Sequence, residues 1–91
     1  MEFEWDPEKA VANIKKHGVS FDEASIAFLD PNAVEFFDEI NSDDEIKFQL
    51  VGISEIRLLF VGFTVRGDRI RIFTARKANA RQIRYYNEQK R

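Results

Sequence analysis

The chain concentrates guanidinium groups in one stretch of its second half. Residues 67–86 read GDRIRIFTARKANARQIRYY and carry five arginines and one lysine against a single acid, Asp68. Guanidinium suits phosphate because its planar fork donates paired hydrogen bonds and does not deprotonate. Two tyrosines end the stretch and offer rings on which bases can stack. This pattern predicts a surface for a phosphate backbone, with single-stranded nucleic acid as the best fit.

The number and grouping of these basic residues carry the prediction, because one or two exposed arginines usually only solvate a surface. The residues expected to bind RNA are Arg69, Arg71, Lys77, Arg81, Arg84 and Tyr85. A protein partner on the same surface, or a surface that is simply solvated, is the alternative.

A single histidine is available for proton transfer near neutral pH. RNA cleavage without a metal needs a base for the 2′-hydroxyl, fixed positive charge on the phosphorane and an acid for the leaving 5′-oxygen. His17 or Lys16 can transfer protons, the arginines can supply charge, and Tyr86 can act as acid or stacking partner. The alternative for His17 is a structural one, in which it satisfies carbonyls at a helix end.

Other chemistries lack the residues that they need. The chain has no cysteine and one histidine, which excludes disulfides and thiolate metal sites. Residues 38–45 (DEINSDDE) are acidic but lack the glycine that an EF-hand loop requires at its sixth position. No glycine-rich phosphate loop and no nucleophile-elbow serine is present. We therefore expect no metal and no cofactor.

Charge is divided unequally between the halves. Residues 1–50 hold four Lys/Arg and thirteen Asp/Glu, a balance of −9, whereas residues 51–91 hold ten and three, a balance of +7. This asymmetry favours a local polyanion site over diffuse nucleic-acid binding. The alternative is that the two halves lie side by side and neutralise each other.

The length and the hydropathy pattern predict one soluble cytoplasmic domain over residues 1–91. The N-terminus is acidic and unlike a signal peptide, and the longest apolar run, at 58–65, spans about a third of a membrane helix.

Capping signals and periodicity predict the order β-α-α-β-β-β-β-α, an α+β fold with an antiparallel sheet. A helix begins after Asp6-Pro7, carries the apolar residues Ala10, Val11 and Ile14 on one face, and ends at Gly18. Ser20 and Glu23 form a capping box for a second helix. Strands are expected at 33–37, 46–51, 58–65 and 69–76, the third being central because it is apolar on both faces. A polar turn at 41–44, a hairpin turn at 66–68 and a helix from Ala78, with Ile83 and Tyr86 on one stripe, complete the pattern.

Several motifs in fixed order resemble the BrnT family, the toxins of bacterial BrnT/BrnA toxin–antitoxin pairs. They are FEWDPEKA, KHGVSFDEA, FLDP and TVRGDRIRIFTARKA followed by a tyrosine, and they cover the chain from Phe3 to about Tyr86. The resemblance implies a RelE-like fold and an endoribonuclease that arrests growth by stopping translation. It also implies a DNA-binding BrnA-like antitoxin, expected as a heterotetramer, through which the complex contacts operator DNA.

The resemblance also assigns residues. The catalytic residues that it implies are Lys16, His17, Arg57, Arg66, Arg76 and Tyr86. Thr74 stands where the family has the serine of its S-A-R motif, and Arg81-Gln82-Ile83 replaces an R-E-R-like run. Two alternatives differ in class, namely an RNA-binding module without catalysis and a co-repressor subunit of a DNA-binding complex.

Overall fold

The computed structural model describes residues 1–38 and 45–89. In chain order its elements are β1 (Glu2–Glu4), α1 (Pro7–His17), α2 (Phe21–Ala27), β2 (Val34–Phe37), β3 (Lys47–Ile53), β4 (Leu58–Arg66), β5 (Arg69–Lys77) and α3 (Ala80–Gln89). The predicted α+β class and element order are confirmed. The polar turn expected at 41–44 lies outside the described residues.

The strands form one sheet in the order β1-β5-β4-β3-β2. The strands β2 to β5 pair antiparallel, and β4 is central as predicted. The sheet is mixed because β1 pairs parallel with β5, from Glu2 opposite Arg69 to Glu4 opposite Arg71. This parallel pair brings the N-terminus beside the arginine-rich strand.

The residues predicted to begin and end α1 do so. Asp6 accepts a hydrogen bond from the Glu8 N–H (2.9 Å), and Pro7 opens the helix. Gly18 adopts a left-handed conformation with φ 69°, and its N–H donates to the Ile14 carbonyl (2.8 Å). A left-handed residue at this position ends the helix at little cost only if it lacks a Cβ.

The buried face of α1 differs from the apolar stripe in its sequence. Ala10 packs against the core as predicted, but Val11 and Ile14 remain 55% and 50% exposed, and the residue that α1 buries is Asn13. Its amide donates to the carbonyls of Val19 and Ala75 (both 2.8 Å) and accepts from the Ala75 N–H (3.2 Å). Because β1 covers only the first part of β5, the backbone beyond it needs other partners. Asn13 supplies them and fixes α1 along that edge.

The core lies between one sheet face and α2. Leu59, Val61 and Phe63 of β4 meet Phe21 and Ala24 of α2, all at most 2% exposed. The Ser20 hydroxyl oxygen accepts from the Glu23 N–H (3.0 Å), which confirms the predicted N-cap of α2.

The helix α3 begins at Ala80, two residues later than predicted, because Asn79 caps it. The Asn79 carbonyl oxygen Oδ1 accepts from the Gln82 N–H (2.8 Å), and Gln82 Oε1 accepts from the Asn79 N–H (2.9 Å). This reciprocal pair is a capping box. Of the predicted stripe, Tyr86 is buried at 5% exposure, whereas Ile83 is 41% exposed.

Candidate active site

The sheet face opposite the core, which we call the open face, displays alternate side chains of the central strands. On β5 it carries Thr74 opposite Gly62 and Arg76 opposite Phe60. A Cβ on Gly62 would lie 2.7 Å from Thr74 Cγ2 and 2.9 Å from Phe73 Cζ. Glycine at this position therefore lets Phe73 and Thr74 pack closely over the middle of the open face. The strand register slips here, between Gly62 and Phe63, which leaves Phe73 as the bulged residue.

Arg76 is held on the open face by an aromatic ring and an amide. Its guanidinium lies 4.3 Å from the centroid of the Phe60 ring, and Nη1 lies 3.4 Å from Gln82 Oε1. No carboxylate among the described residues lies within ion-pair distance of it. The cation–π contact orients the guanidinium plane while leaving its charge for another anion.

Lys16 and His17 meet β5 at the edge that α1 covers. They line a depression of about 250 Å³ together with Lys9, Phe73 and Thr74. Thr74 and Arg76 point to the same face two residues apart, about 6–7 Å along the strand. The structure thus brings the predicted proton-transfer residues and one predicted arginine to one edge of the open face.

Arg57 lies near His17, but its guanidinium is already paired with a carboxylate. Its Nε and Nη2 donate to the two oxygens of Glu23 (2.8 and 2.6 Å), and Nη2 also donates to the Gly18 carbonyl (2.9 Å). Ser54 donates to the same carboxylate at 2.7 Å. The hydrogen bonds from Arg57 hold the pKa of Glu23 below its usual value. Arg57 therefore fastens the turn between α1 and α2, directly after His17.

Three other predicted arginines also face carboxylates of the acidic first half. Arg66 pairs with Glu45 (3.2 Å), Arg69 with Glu2 (3.3 Å) and Glu4 (3.5 Å), and Arg71 with Glu4 (2.9 Å). The two halves therefore do neutralise each other along β1 and β5. In contrast, Lys77, Arg81 and Arg84 have no carboxylate within ion-pair distance in the described part of the chain.

The two tyrosines of α3 have different surroundings. The Tyr86 hydroxyl donates to Asp30 Oδ2 (2.5 Å). Burial, together with this hydrogen bond, raises the pKa of Tyr86 to about 12. Tyr85 is 38% exposed, and its ring centroid lies 5.0 Å from that of Phe36. The Tyr85 ring therefore lies at the surface, whereas Tyr86 is buried.

Sequence reasoning missed Phe60, Phe73, Lys9 and the capping role of Gln82. The N-x-x-Q spacing of Asn79 and Gln82 is a signal that predicts the cap. The aromatic contacts required the strand register, which pairs Phe60 with Arg76.

The described residues contain no group of three or more His, Asp or Glu side chains placed to hold a metal ion. Most of the acidic segment 38–45 lies outside the described residues. No helix in the described ranges is long and apolar enough to cross a membrane.

The fold and the cation distribution define a small α+β protein with one basic sheet face flanked by two helices. The family model described as "Ribonuclease toxin, BrnT, of type II toxin-antitoxin system" matches residues 5–82. The chain belongs to this family and is a ribonuclease toxin of a type II toxin–antitoxin system. Membership implies an antitoxin partner. No curated protein matches the chain.

Proposed function

We propose that the chain is a metal-independent endoribonuclease that inhibits translation by cleaving RNA in the cytoplasm. The observation that carries the proposal is the meeting of Lys16 and His17 with Thr74 at the edge of the open face, two residues along β5 from Arg76, which has no carboxylate partner among the described residues. Fixed positive charge next to a proton-transfer group is what 2′-hydroxyl attack on a phosphodiester requires.

In the proposed reaction, His17 or Lys16 takes the proton of the 2′-hydroxyl, and the 2′-oxygen attacks the adjacent phosphorus. Arg76 stabilises the charge that develops on the phosphorane oxygens. The bond to the 5′-oxygen then breaks, and that oxygen takes a proton from water or from Tyr86, which leaves a 2′,3′-cyclic phosphate and a 5′-hydroxyl. Tyr86 can donate this proton only after its hydroxyl leaves Asp30, to which it is bound at 2.5 Å. The roles of Arg57, Arg66, Arg69, Arg71 and Tyr86 stay predictions.

Cleavage of a defined RNA in EDTA tests the proposal. We expect wild type to cleave, His17→Ala to lose about 10²–10⁴-fold in rate and Arg76→Ala about 10²–10³-fold. Lys15→Ala is the matched control, because Lys15 is an exposed lysine of α1 outside the depression. Retained activity in both site variants would refute these roles. A folded wild type without activity would favour the RNA-binding module or the co-repressor subunit.

For the partner, the proposal is a DNA-binding BrnA-like antitoxin that forms a heterotetramer and carries the toxin to operator DNA. We expect the antitoxin to cover the basic open face, because some of its cations have no carboxylate partner in the described part of the chain. Light scattering of the co-purified complex, with and without operator DNA, measures the stoichiometry. Operator binding by the toxin alone would refute this arrangement.

A further inference from the structure

A groove of about 750 Å³ lies between α3 and the β2–β3 end of the open face. Phe36, Gln49 and Tyr85 contribute to its lining, and Arg81 and Arg84 border it. Nothing in the reaction proposed above uses this groove.

We propose that the groove is a subsite for one unpaired nucleobase of the RNA, next to the scissile phosphate. This inference rests on the proposed function and deepens it by assigning where the substrate is read.

Stacking is the first argument for a base. Tyr85 and Phe36 lie with centroids 5.0 Å apart and planes inclined by 51°, so the two rings contact each other, and Tyr85 remains 38% exposed as a surface on which a base can stack. Tyr85 stands on a helix and Phe36 on a paired strand, which holds both rings in place. A planar base gains about ten-fold or more in affinity from such a ring.

A polar group on the groove floor can read the edge of that base. Gln49 lies opposite Phe36 in the register of β2 and β3 and opposite Gly62 in that of β3 and β4, so its side chain faces the groove. A primary amide both donates and accepts hydrogen bonds, as the edge of a nucleobase does.

The charges around the groove indicate where the phosphate and the base of a nucleotide would lie. Arg81 and Arg84 have no carboxylate within ion-pair distance among the described residues, so they are suited to phosphate. Asp38 and Glu88 line the groove too. Glu88 lies six residues beyond Gln82, about 9 Å along the helix. The Glu88 carboxylate repels phosphate, so an uncharged base is the part of a nucleotide that fits beside it.

The groove is also continuous with the proposed reaction centre. Gln82 lines it and lies 3.4 Å from Arg76 through Oε1 and Nη1. Gln82 and Tyr85 are three residues apart on one helix, with Cβ atoms about 5–6 Å apart. A base adjoining the phosphate held by Arg76 can therefore reach Tyr85.

A stacking probe in an RNA that resists cleavage tests the subsite. The probe is a hexamer with 2′-O-methyl on every ribose and 2-aminopurine at one position, moved along the strand in a series. We expect wild type to quench the fluorescence at one position. Tyr85→Ala should lose this quenching and bind about ten-fold more weakly, whereas Tyr85→Phe, which keeps the ring, should retain both. Gln49→Leu should keep the quenching but reduce the affinity differences among the four bases at that position.

Ile83→Ala is the matched control, since Ile83 is 41% exposed on the same helix and does not line the groove. Unchanged quenching in Tyr85→Ala, equal loss in the control, or equal quenching at every position would overturn the subsite. So would weaker antitoxin binding by Tyr85→Ala with unchanged RNA binding, which would make the groove a protein-docking site. Because the probe is not cleaved, a wild type that quenches at one position but cleaves no RNA would overturn the proposed catalysis and leave the subsite standing.

Discussion

At the scale of single residues, partners decide what a basic side chain can do. Arg57 and Arg76 are both part of the predicted catalytic set, yet Arg57 donates to both oxygens of Glu23, whereas Arg76 rests on the Phe60 ring. An arginine that is already paired offers less charge to a phosphate than one held by an aromatic face. We therefore expect Arg76 to contribute more to transition-state stabilisation than Arg57 does.

Tyr86 belongs to this scale as well and leads to a prediction about alkaline pH. An unfolded tyrosine titrates near pH 10, and the folded-state pKa of Tyr86 is about 12. The neutral phenol is thus favoured by folding; its contribution to stability is complete below pH 10 and is lost between pH 10 and 12. We expect the difference in unfolding free energy between wild type and Tyr86→Phe to fall across this window, by up to about 2–3 kcal/mol.

Urea unfolding at pH 8, 10 and 11 measures this difference. Tyr85→Phe serves as the control, because Tyr85 is exposed and the same substitution there removes an equivalent phenol. A difference that stays constant with pH in Tyr86→Phe would show that the hydroxyl ionises as freely in the folded protein as in the unfolded chain.

At the scale of elements, the edge of β5 that does not pair with β4 has two different partners, β1 and α1. The strand β1 covers Arg69 to Arg71, and α1 covers the backbone of Ala75 through Asn13. The same contact brings Lys16 and His17 beside Thr74. The position of the proposed proton-transfer groups therefore depends on one buried amide.

Replacing Asn13 should consequently affect both stability and activity. Asn13→Ala leaves the N–H and C=O of Ala75 without these partners, and each unsatisfied buried group costs about 1–3 kcal/mol. We expect the unfolding free energy to fall by about 2–4 kcal/mol and the cleavage rate to fall under conditions where the variant is still folded. Denaturant unfolding and single-turnover cleavage measure the two effects.

Asn87→Ala is the control, since Asn87 is an exposed amide of α3. A stable Asn13→Ala protein with wild-type cleavage would show that the edge of β5 does not need this helix.

At the scale of the whole molecule, the net charge of −2 is near neutral, but paired and unpaired charges lie on different parts of the surface that the structure describes. Carboxylates of the first half pair with arginines of β4 and β5, while α3 keeps basic residues without such partners in the described ranges. Single-stranded RNA should therefore bind where α3 meets the open face, and not along the β1–β5 edge.

The salt dependence of RNA binding distinguishes these two surfaces. Each phosphate contact adds about −0.7 to the slope of log K against log salt concentration for single strands. We expect the double variant Arg81→Gln/Arg84→Gln to reduce the slope by about 1.4. Arg69→Gln/Arg71→Gln, which removes the same charge from residues paired with Glu2 and Glu4, should leave the slope nearly unchanged. The reverse ranking would place the RNA on the β1–β5 edge.

The sequence by itself determined the elements, their order and the central strand, because caps and periodicity are local. Asp6, Gly18 and Ser20 act within four residues of their hydrogen-bond partners, and the apolar run at β4 needs no knowledge of its neighbours. The motifs also identified the family. The motifs assign the catalytic role to Tyr86, which stays a prediction, since adjacent helical residues differ only in what packs on them.

Only the tertiary structure decided which functional groups are available. Arg57 lies 34 residues from Glu23, Arg71 lies 67 from Glu4, and Tyr86 lies 56 from Asp30. Asn13 reaches Ala75 across 62 residues and is the residue that α1 buries. Hydrogen bonds and ion pairs over such separations depend on strand register and helix placement, which no local pattern encodes. The accessible charge and the groove are therefore properties of the folded molecule.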